Sequence, residues 1–277
     1  MKKFCISSKT SSAFLKAIVY FSAIVTLLIL VFMIGYICVK GIPYLNGSLF
    51  SLKYTSDNCS VIPALVNTLT TTLIALLISV PLGVGSAIYL VEYAKKGNKF
   101  VKIVRMTTET LTGIPSIIYG LFGMLLFVGF FKWGYSILAG SFTVAIMILP
   151  TIMRTTEEAL MAVPDSYREG SFGLGAGKLR TVFKIVLPSA IPGILSGVIL
   201  ATGRVVGETA ALIYTAGTVA QIPKNVFGSG RTLAIHMYVL SSEGLHTNQA
   251  FATAVVLLIM VILINLLASL IAKRIKK

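Results

Sequence analysis

The chain has 277 residues, of which 56% are hydrophobic and only 12% are charged. An ordinary soluble domain is about half apolar and about a quarter charged, so this chain is richer in apolar residues and has half the usual share of charged ones. Such a composition excludes disorder and disfavours a single soluble globule. The three cysteines, Cys5, Cys38 and Cys59, are scattered and odd in number, which excludes a disulfide scaffold.

Six apolar runs follow one another along the chain, and each is long enough to be considered as a helical membrane span. The first run contains no charged residue and is preceded by four lysines, which predicts an uncleaved signal anchor. Pro81 and Pro115 are expected inside continuous helices, because membrane helices tolerate proline. The sequence therefore predicts a polytopic all-α membrane protein. Its six spans are expected at 17–39, 64–91, 110–131, 135–153, 187–212 and 251–272.

The basic residues predict which side of the membrane each loop faces. Eighteen Lys and Arg fall in the N-terminal segment, the loops 92–109 and 154–186, and the tail, whereas five fall on the opposite side. Positive loops stay in the cytoplasm, so both termini are expected there, in the plasma membrane of a prokaryote. The same distribution argues against nucleic-acid binding as the reason for the net charge of +15.

Two loops are unusually long. The outer loop 213–250 contains His236 and His246, which are too few and too far apart for a metal site. The inner loop 154–186 carries charges of both signs, and two interpretations stay open: a docking surface for a soluble partner or a solvated connector. Elsewhere, Glu109 is expected to pair with Arg105, and Glu92 with Lys96, because each pair is four residues apart.

The inner loop contains the sequence EGSFGLGAGKLRTVFKIVLP. This spacing resembles the EAA motif of permease subunits in importers driven by ATP-binding cassettes. The resemblance implies a short helix that ends at a glycine and docks on a separate ATPase. The residues assigned to ATPase coupling are Glu169, Gly170, Ser171, Gly175, Ile185, Leu187 and Pro188, with Gly170 and Ser171 replacing the two alanines of the motif. The nearby GAGK lacks the remaining P-loop positions, so no nucleotide site is predicted in this loop.

Three further segments, 67–94, 113–123 and 156–210, resemble the permease subunits of phosphate-specific importers, and 241–268 resembles the PstA type rather than the PstC type. The resemblance implies a MetI-like transmembrane domain of a type I importer, with no enzymatic activity and no cofactor bound by this chain. It also implies four kinds of partner: membrane lipid, a PstC-like permease, two PstB-like ATPase subunits that use ATP and Mg, and an extracytoplasmic PstS-like phosphate-binding protein. The expected organisation is 1–60 for the N-terminus, first helix and outer loop, 61–272 for the transmembrane domain, and 273–277 for the tail.

Arg204 and Glu208 are ionisable residues inside the fifth apolar run, where charges usually face a cavity or each other. Their spacing of four predicts one helix face. One interpretation is a mutually neutralising pair that locks two helices. The other is a substrate path in which Arg204 binds phosphate oxygens and Glu208 accepts the hydrogen bond of a P–OH group, with Thr209 beside them.

Small residues recur every fourth position through the same run, which is typical of close helix packing against neighbouring spans and a partner permease. The positions are Ser189, Gly193, Gly197 and Ala201 in one stripe, and Gly203, Gly207 and Ala211 in another. Two alternative functions stay open, namely a permease for another oxyanion such as molybdate or sulfate, and an ion-coupled secondary transporter or channel acting alone. An intramembrane enzyme is disfavoured because Glu208 is the only acid predicted inside a span.

Overall fold

The computed structural model describes residues 8–95 and 97–275, and every regular element in these ranges is helical. The helices are α1 (Ser8–Gly41), α2 (Ile62–Ile88, continued by a π-helical turn Tyr89–Tyr93), α3 (Lys99–Thr112), α4 (Ser116–Gly123, continued by a π-helical turn Met124–Phe130), α5 (Ile137–Met161), α6 (Asp165–Gly173), α7 (Lys178–Thr181, continued by a π-helical turn Val182–Val186), α8 (Leu187–Val206), α9 (Ala210–Ile213), α10 (Leu233–Glu243) and α11 (Thr247–Ile275). Two short 3₁₀ turns, Ile42–Tyr44 and Gly47–Phe50, follow α1. Some sequence predictions fall outside the described residues, namely those on Lys2, Lys3, Cys5, Lys96, Lys276 and Lys277.

The predicted all-α polytopic class is confirmed. Five helical segments in the described ranges are long and apolar enough to cross a membrane, and α3 with α4 makes a sixth if the bent pair counts as one span. The five are Leu15–Tyr44, Ile62–Tyr93, Ile137–Met161, Lys178–Val206 and Thr247–Leu270.

The third predicted span, 110–131, is not one continuous helix. The axes of α3 and α4 differ by 102° across a short break. Gly113 caps α3, and Pro115 precedes the first residue of α4. Proline disfavours a helical conformation at the residue before it, and Gly113 adds a residue of low helix propensity. The expectation for Pro115 was therefore wrong, whereas Pro81 does lie inside α2.

The fourth and fifth predicted spans have different ends from those expected. Helix α5 begins when Ser136 caps it, with the Ala139 N–H donating to the Ser136 hydroxyl at 3.2 Å. It then continues to Met161, eight residues into the predicted inner loop. Helix α8 stops at Val206 instead of continuing to residue 212. This early stop changes the geometry expected around Arg204.

Helix α5 lies at the centre of the molecule, packed against α2 on one side and α8 on the other. Gly83 lets α2 approach closely, since a Cβ there would come 2.8 Å from Ile152 Cγ2. Ile152 itself is fully buried in the largest apolar core. Helix α1 lies at the periphery and packs on α11, where Tyr36 and Phe251 make an edge-to-face contact at 5.8 Å. The helices α2, α5 and α8 therefore form the framework that holds the candidate site.

Candidate functional site

The chain leaves the helical conformation immediately after α8. Gly207 caps α8, and Glu208 and Thr209 are not helical before α9 begins. A glycine followed two residues later by a β-branched threonine is unfavourable for helix continuation. Arg204 and Glu208 therefore do not share the face of one continuous helix, and they form no ion pair in the part of the chain that the structure describes.

Glu208 has a clear structural role in this break. Its side chain is buried, and its Oε1 atom accepts a hydrogen bond of 3.0 Å from the Ala211 N–H. The first N–H groups of a helix have no partner within the helix, and a carboxylate there is also favoured by the helix dipole. Glu208 thus fixes the start of α9.

Arg204 lies half-buried in the last turn of α8. Within residues 8–95 and 97–275 it has neither an ion-pair partner nor a side-chain hydrogen bond. A guanidinium carries five N–H donors and remains charged at physiological pH. Arg204 therefore offers a free, permanently charged donor group inside a membrane-spanning segment.

A cavity of about 860 Å³ lies beside the break. Thr209 lines it, together with Tyr214, Tyr238 and Ser241, while most of its other walls are apolar. Of the three residues assigned to the substrate path, Thr209 is the one that lines this cavity, and Arg204 and Glu208 lie outside its walls.

The EAA-like segment folds into two connected helices. Glu169, Gly170 and Ser171 lie on α6, a helix with no buried residue. Gly175 has φ +80°, a left-handed conformation that favours glycine and lets the chain turn towards α7. The Ser171 and Thr181 hydroxyl groups lie 2.8 Å apart and link α6 to α7. The remaining assigned residues lie where α7 runs into α8, with Ile185 in the π-helical turn and Leu187 and Pro188 in the first turn of α8.

Arg168 joins three helices at the end of the molecule where α6 meets the ends of α2 and α5. Its guanidinium contacts Glu92 at 2.7 Å, and it also donates to the carbonyl oxygens of Leu160 at 3.0 Å and Val163 at 2.8 Å. It further contacts Asp165 of its own helix at 3.2 Å. We call this set of contacts the Arg168 junction. It ties α6 to the end of α2 and to the end of α5.

The sequence predictions missed the Arg168 junction because its partners are far apart in the chain. The predicted partner of Glu92, Lys96, lies outside the described residues, and Glu92 is instead bound by Arg168. Likewise, Arg105 pairs with Glu157 of α5 rather than with Glu109. One signal was available, since Arg168 directly precedes the acid of the EAA-like motif.

The small-residue stripes have two different environments. A Cβ on Gly193 would come 2.6 Å from Ala159 Cβ, and one on Gly197 would collide with the Thr155 side chain, so α8 contacts α5 at both positions. Ala201, in the same stripe, is fully buried in the largest apolar core. By contrast, a Cβ on Gly203 would meet nothing within 4 Å, and one on Gly207 would meet only the Gly203 carbonyl oxygen, at 3.6 Å.

A buried polar cluster connects the start of α10 to the segment that precedes α2. Arg231 is 4% exposed, and its guanidinium lies over the Tyr54 ring at 4.6 Å. Fully buried His236 has its Nε2 atom 3.2 Å from the Cys59 carbonyl oxygen. Burial, reinforced by the Arg231 charge, lowers the pKa of His236 to about 3. Burial also raises the pKa of the Cys59 thiol. No group of three or more potential metal ligands occurs in residues 8–95 and 97–275.

Comparison with known proteins identifies the class that this fold defines. Residues 79–277 match the family described as "Binding-protein-dependent transport system inner membrane component". The chain therefore belongs to this family of importer permeases. It is a multi-pass inner-membrane transport subunit and not an enzyme, and it works with a separate ATPase chain and a binding protein.

Three curated relatives of the chain are also permease subunits. It is 36% identical over 258 residues to the probable ABC transporter permease protein YqgI of Bacillus subtilis, covering 87% of each chain. It is 36% identical over 211 residues to the phosphate transport system permease protein PstA 1 of Mycobacterium tuberculosis, covering 75% of this chain and 69% of that one. It is 31% identical over 262 residues to the phosphate transport system permease protein PstA of Haemophilus influenzae, covering 93% and 92%.

Two solved transporters share the fold. An inward-facing MetNI methionine ABC transporter superposes with a TM-score of 0.61 at 22% identity, covering 78% of this chain and 94% of the other. A bacterial ABC transporter that imports the acidic polysaccharide alginate superposes with a TM-score of 0.64 at 19% identity, covering 97% and 98%. The MetI-like fold expected from the sequence is thereby confirmed.

Proposed function

We propose that this chain is the permease subunit of an ATP-driven phosphate importer of the PstA type. The observation that carries the proposal is the free guanidinium of Arg204 in the last turn of a membrane-spanning helix. A charged group in a span is expensive unless it faces a cavity, a partner or a transport path. The PstA relatives from two organisms support phosphate as the cargo.

Arg204 supplies the charge that draws an oxyanion into the path. Its planar fork matches two phosphate oxygens, and hydrogen bonds to charged groups are stronger than neutral ones. A single arginine without further fixed charge holds the anion weakly enough to release it, as a transport path requires. Thr209 contributes a hydroxyl at the neighbouring cavity, and Glu208 positions the break that separates Arg204 from α9.

The EAA-like segment is the part of the proposal that couples transport to ATP hydrolysis. Most of helix α6 is exposed, and the apolar side chains Tyr167, Phe172 and Leu174 face outward on or beside it. An exposed amphipathic helix of this kind suits a groove on a soluble protein. The ATPase would move α6, and the Arg168 junction would pass that movement to α2 and α5.

The proposed assembly contains a PstC-like permease, two PstB-like ATPase subunits and a PstS-like phosphate-binding protein. Both termini face the cytoplasm in this arrangement, as the distribution of basic residues indicates. The organisation 1–60, 61–272 and 273–277 belongs to the same proposal. An ion-coupled transporter acting alone does not fit the importer family, whereas a molybdate or sulfate permease remains a second candidate for the experiment below.

The test is uptake of radiolabelled phosphate into proteoliposomes that contain the assembled importer, with ATP inside and the phosphate-binding protein outside. We expect Arg204→Gln to reduce uptake about tenfold or more, since a charge-assisted hydrogen bond to the anion is lost. Arg204→Lys keeps the charge but not the fork and should retain an intermediate rate. Assembly is verified by co-purification of the ATPase.

Arg154→Gln is the matched control. Arg154 lies on α5 in an exposed ion pair with Glu158, and such pairs contribute little to stability. Its uptake should stay close to that of the unchanged chain. Normal uptake by Arg204→Gln would show that Arg204 is not part of the substrate path. Stronger competition by sulfate or molybdate than by unlabelled phosphate would show that the other oxyanion is the substrate.

A further inference from the structure

A second, basic cavity lies at the inner end of the molecule, outside the proposed substrate path. Its volume is about 690 Å³, and it is enclosed by the end of α2, the start of α3, the end of α5 and helix α6. The charged residues in its wall are five basic and two acidic ones, namely Lys95, Lys99, Lys102, Arg105, Arg168, Glu92 and Asp165.

The acids of this cavity are already occupied. Glu92 and Asp165 both pair with Arg168. Arg105 is bound by Glu157, which lies outside the cavity wall. In residues 8–95 and 97–275, three lysines of the wall have no acidic partner within ion-pair distance: Lys95, Lys99 and Lys102. The cavity therefore carries positive charge that no described group of the chain balances.

A smaller, largely apolar cavity of about 400 Å³ lies next to the basic one. The two cavities share Leu90, and Phe100 and Val104 of α3 line the apolar one. The N-terminal half of α3 thus has a basic cavity on one side and an apolar cavity on another. A ligand that fills both must join an anionic group to a hydrocarbon chain.

The surface of α3 itself points to the same chemistry. Phe100, Ile103 and Met106 recur every third residue and are 58%, 56% and 60% exposed, so they form an uncovered apolar stripe. By their spacing, Arg105 lies on the other side of the helix and Lys102 at the edge of the stripe. Because α3 is bent by 102° from α4, it lies nearly in the membrane plane when α4 crosses the bilayer. An apolar face, a basic face and an in-plane axis are typical of a helix at the lipid interface.

We propose that these two cavities form a binding site for one anionic phospholipid. The phosphate of its headgroup contacts Lys99, Lys102 and Lys95, and an acyl chain lies along Phe100 and Val104. Basic pockets between helices near a membrane surface take anionic headgroups, and the apolar stripe of α3 continues into the same bilayer leaflet. A soluble protein partner would match the lysines but would leave the apolar cavity and stripe uncovered. The site is independent of the cargo that Arg204 handles.

The experiment uses the assembled importer in detergent and counts bound lipid by native mass spectrometry during titration with phosphatidylglycerol. Lysines near a membrane surface each contribute about fivefold to anionic lipid binding, so Lys99→Gln with Lys102→Gln should weaken it roughly thirtyfold. Phosphatidylcholine binding should not change. Lys99→Arg with Lys102→Arg keeps the charge and should retain phosphatidylglycerol, which shows that the site is intact.

Arg180→Gln with Lys184→Gln is the matched control. These residues lie on α7 and its π-helical continuation, which contact α6. They are exposed and do not line either cavity, so the variant loses the same charge elsewhere. It should bind phosphatidylglycerol normally.

Three results would overturn the lipid site. The first is equal loss of phosphatidylglycerol binding in the test and control variants. The second is displacement of the lipid by excess inorganic phosphate, which would indicate a site for free phosphate. The third is loss of the ATPase from Lys99→Gln with Lys102→Gln while lipid binding is unchanged, which would assign the lysines to the protein partner.

Discussion

Gly207 decides how Arg204 and Glu208 can act. With an unbroken helix, their spacing of four residues would allow mutual neutralisation. Because α8 stops at Gly207, Glu208 caps α9 through Ala211 and Arg204 keeps its charge available. The same two residues therefore have separate functions, one structural and one proposed for anion transport.

His236 gives a prediction at the residue scale. Its pKa is about 3 in the folded protein and about 6.5 in an unfolded chain, so the unfolded state binds its proton first. Stability from neutral His236 is complete above pH 6.5 and is lost as the pH falls towards 3. Between pH 7 and pH 5 we expect a loss of about 2 kcal/mol, measured as a lower melting temperature of the detergent-solubilised complex.

The control for this prediction is His236→Gln, whose amide can still donate to the Cys59 carbonyl but does not titrate. Its melting temperature should be lower at pH 7 and should change less between pH 7 and pH 5. An equal pH dependence in both proteins would show that another group causes the loss.

Single residues were easier to select from the sequence than to place. Arg204 is conspicuous because a charge interrupts an apolar run. The sequence did not reveal that Gly207 ends the helix, since glycines such as Gly193 and Gly197 lie inside the same helix without interrupting it. The difference is tertiary, because those two glycines contact α5 whereas Gly207 has open space beside it.

At the scale of elements, the Arg168 junction connects α6 to the ends of α2 and α5. Arg168 and Glu92 are both mostly buried, with side chains 15% and 8% exposed. Removing one partner of a buried ion pair leaves an unbalanced charge and is destabilising by about 3–5 kcal/mol. A change to either residue is therefore expected to loosen the contact between α6 and α2.

We predict that Glu92→Gln lowers the amount of substrate transported per ATP hydrolysed. The ATPase would still bind α6 and hydrolyse ATP, but movement of α6 would reach α2 less effectively. The measurement is the ratio of uptake to ATP hydrolysis in proteoliposomes, which a general loss of folded protein would not alter.

The charge-reversed pair Glu92→Arg with Arg168→Glu is the companion variant. It restores the ion pair but loses the bonds from Arg168 to the Leu160 and Val163 carbonyls, so it should recover part of the ratio. A normal ratio in Glu92→Gln would contradict the transmitting role of the junction.

Elements were predicted well where composition alone defines them. The long apolar runs of α2 and α11 were visible because hydropathy marks membrane helices directly. The bend between α3 and α4 was missed because Gly113 and Pro115 occur inside an apolar run, where Pro81 in α2 does not interrupt the helix. The junction partners Arg168 and Glu92 are 76 residues apart, and a single sequence contains no signal for such a pair.

At the scale of the whole molecule, labelling can test how the chain is oriented in the membrane. The excess of basic residues predicts that α7 lies on the cytoplasmic side and that the segment before α10 lies outside. In a variant with Cys5, Cys38 and Cys59 changed to serine, we expect Lys224→Cys to react with an impermeant maleimide in intact cells. Lys178→Cys should react only after the cells are permeabilised.

Both lysines are exposed, so access to the reagent depends on the side of the membrane. The reverse labelling pattern would show the opposite orientation, with α6 outside the cell, where no cytoplasmic ATPase could reach it. Uptake measured in the same strains shows that the variants are assembled.

The overall class followed from the sequence because several independent signals agreed. Hydropathy gave the helices, and the spacing from Glu169 to Pro188 resembled a family motif; the family itself is confirmed over residues 79–277. Packing did not follow, because the close approach of α5 and α8 depends on which glycine meets which side chain. Gly197 and Thr155 illustrate this, since neither local sequence indicates that the two residues are in contact.

That close approach has a consequence for how α5 and α8 can move. With no Cβ at Gly193 and Gly197, α8 lies directly on Ala159 and Thr155, so we expect a movement of one helix to carry the other with it. We expect relative movement between this helix pair and α9 to be concentrated in residues 207–209, where the chain is not helical, next to the charge of Arg204.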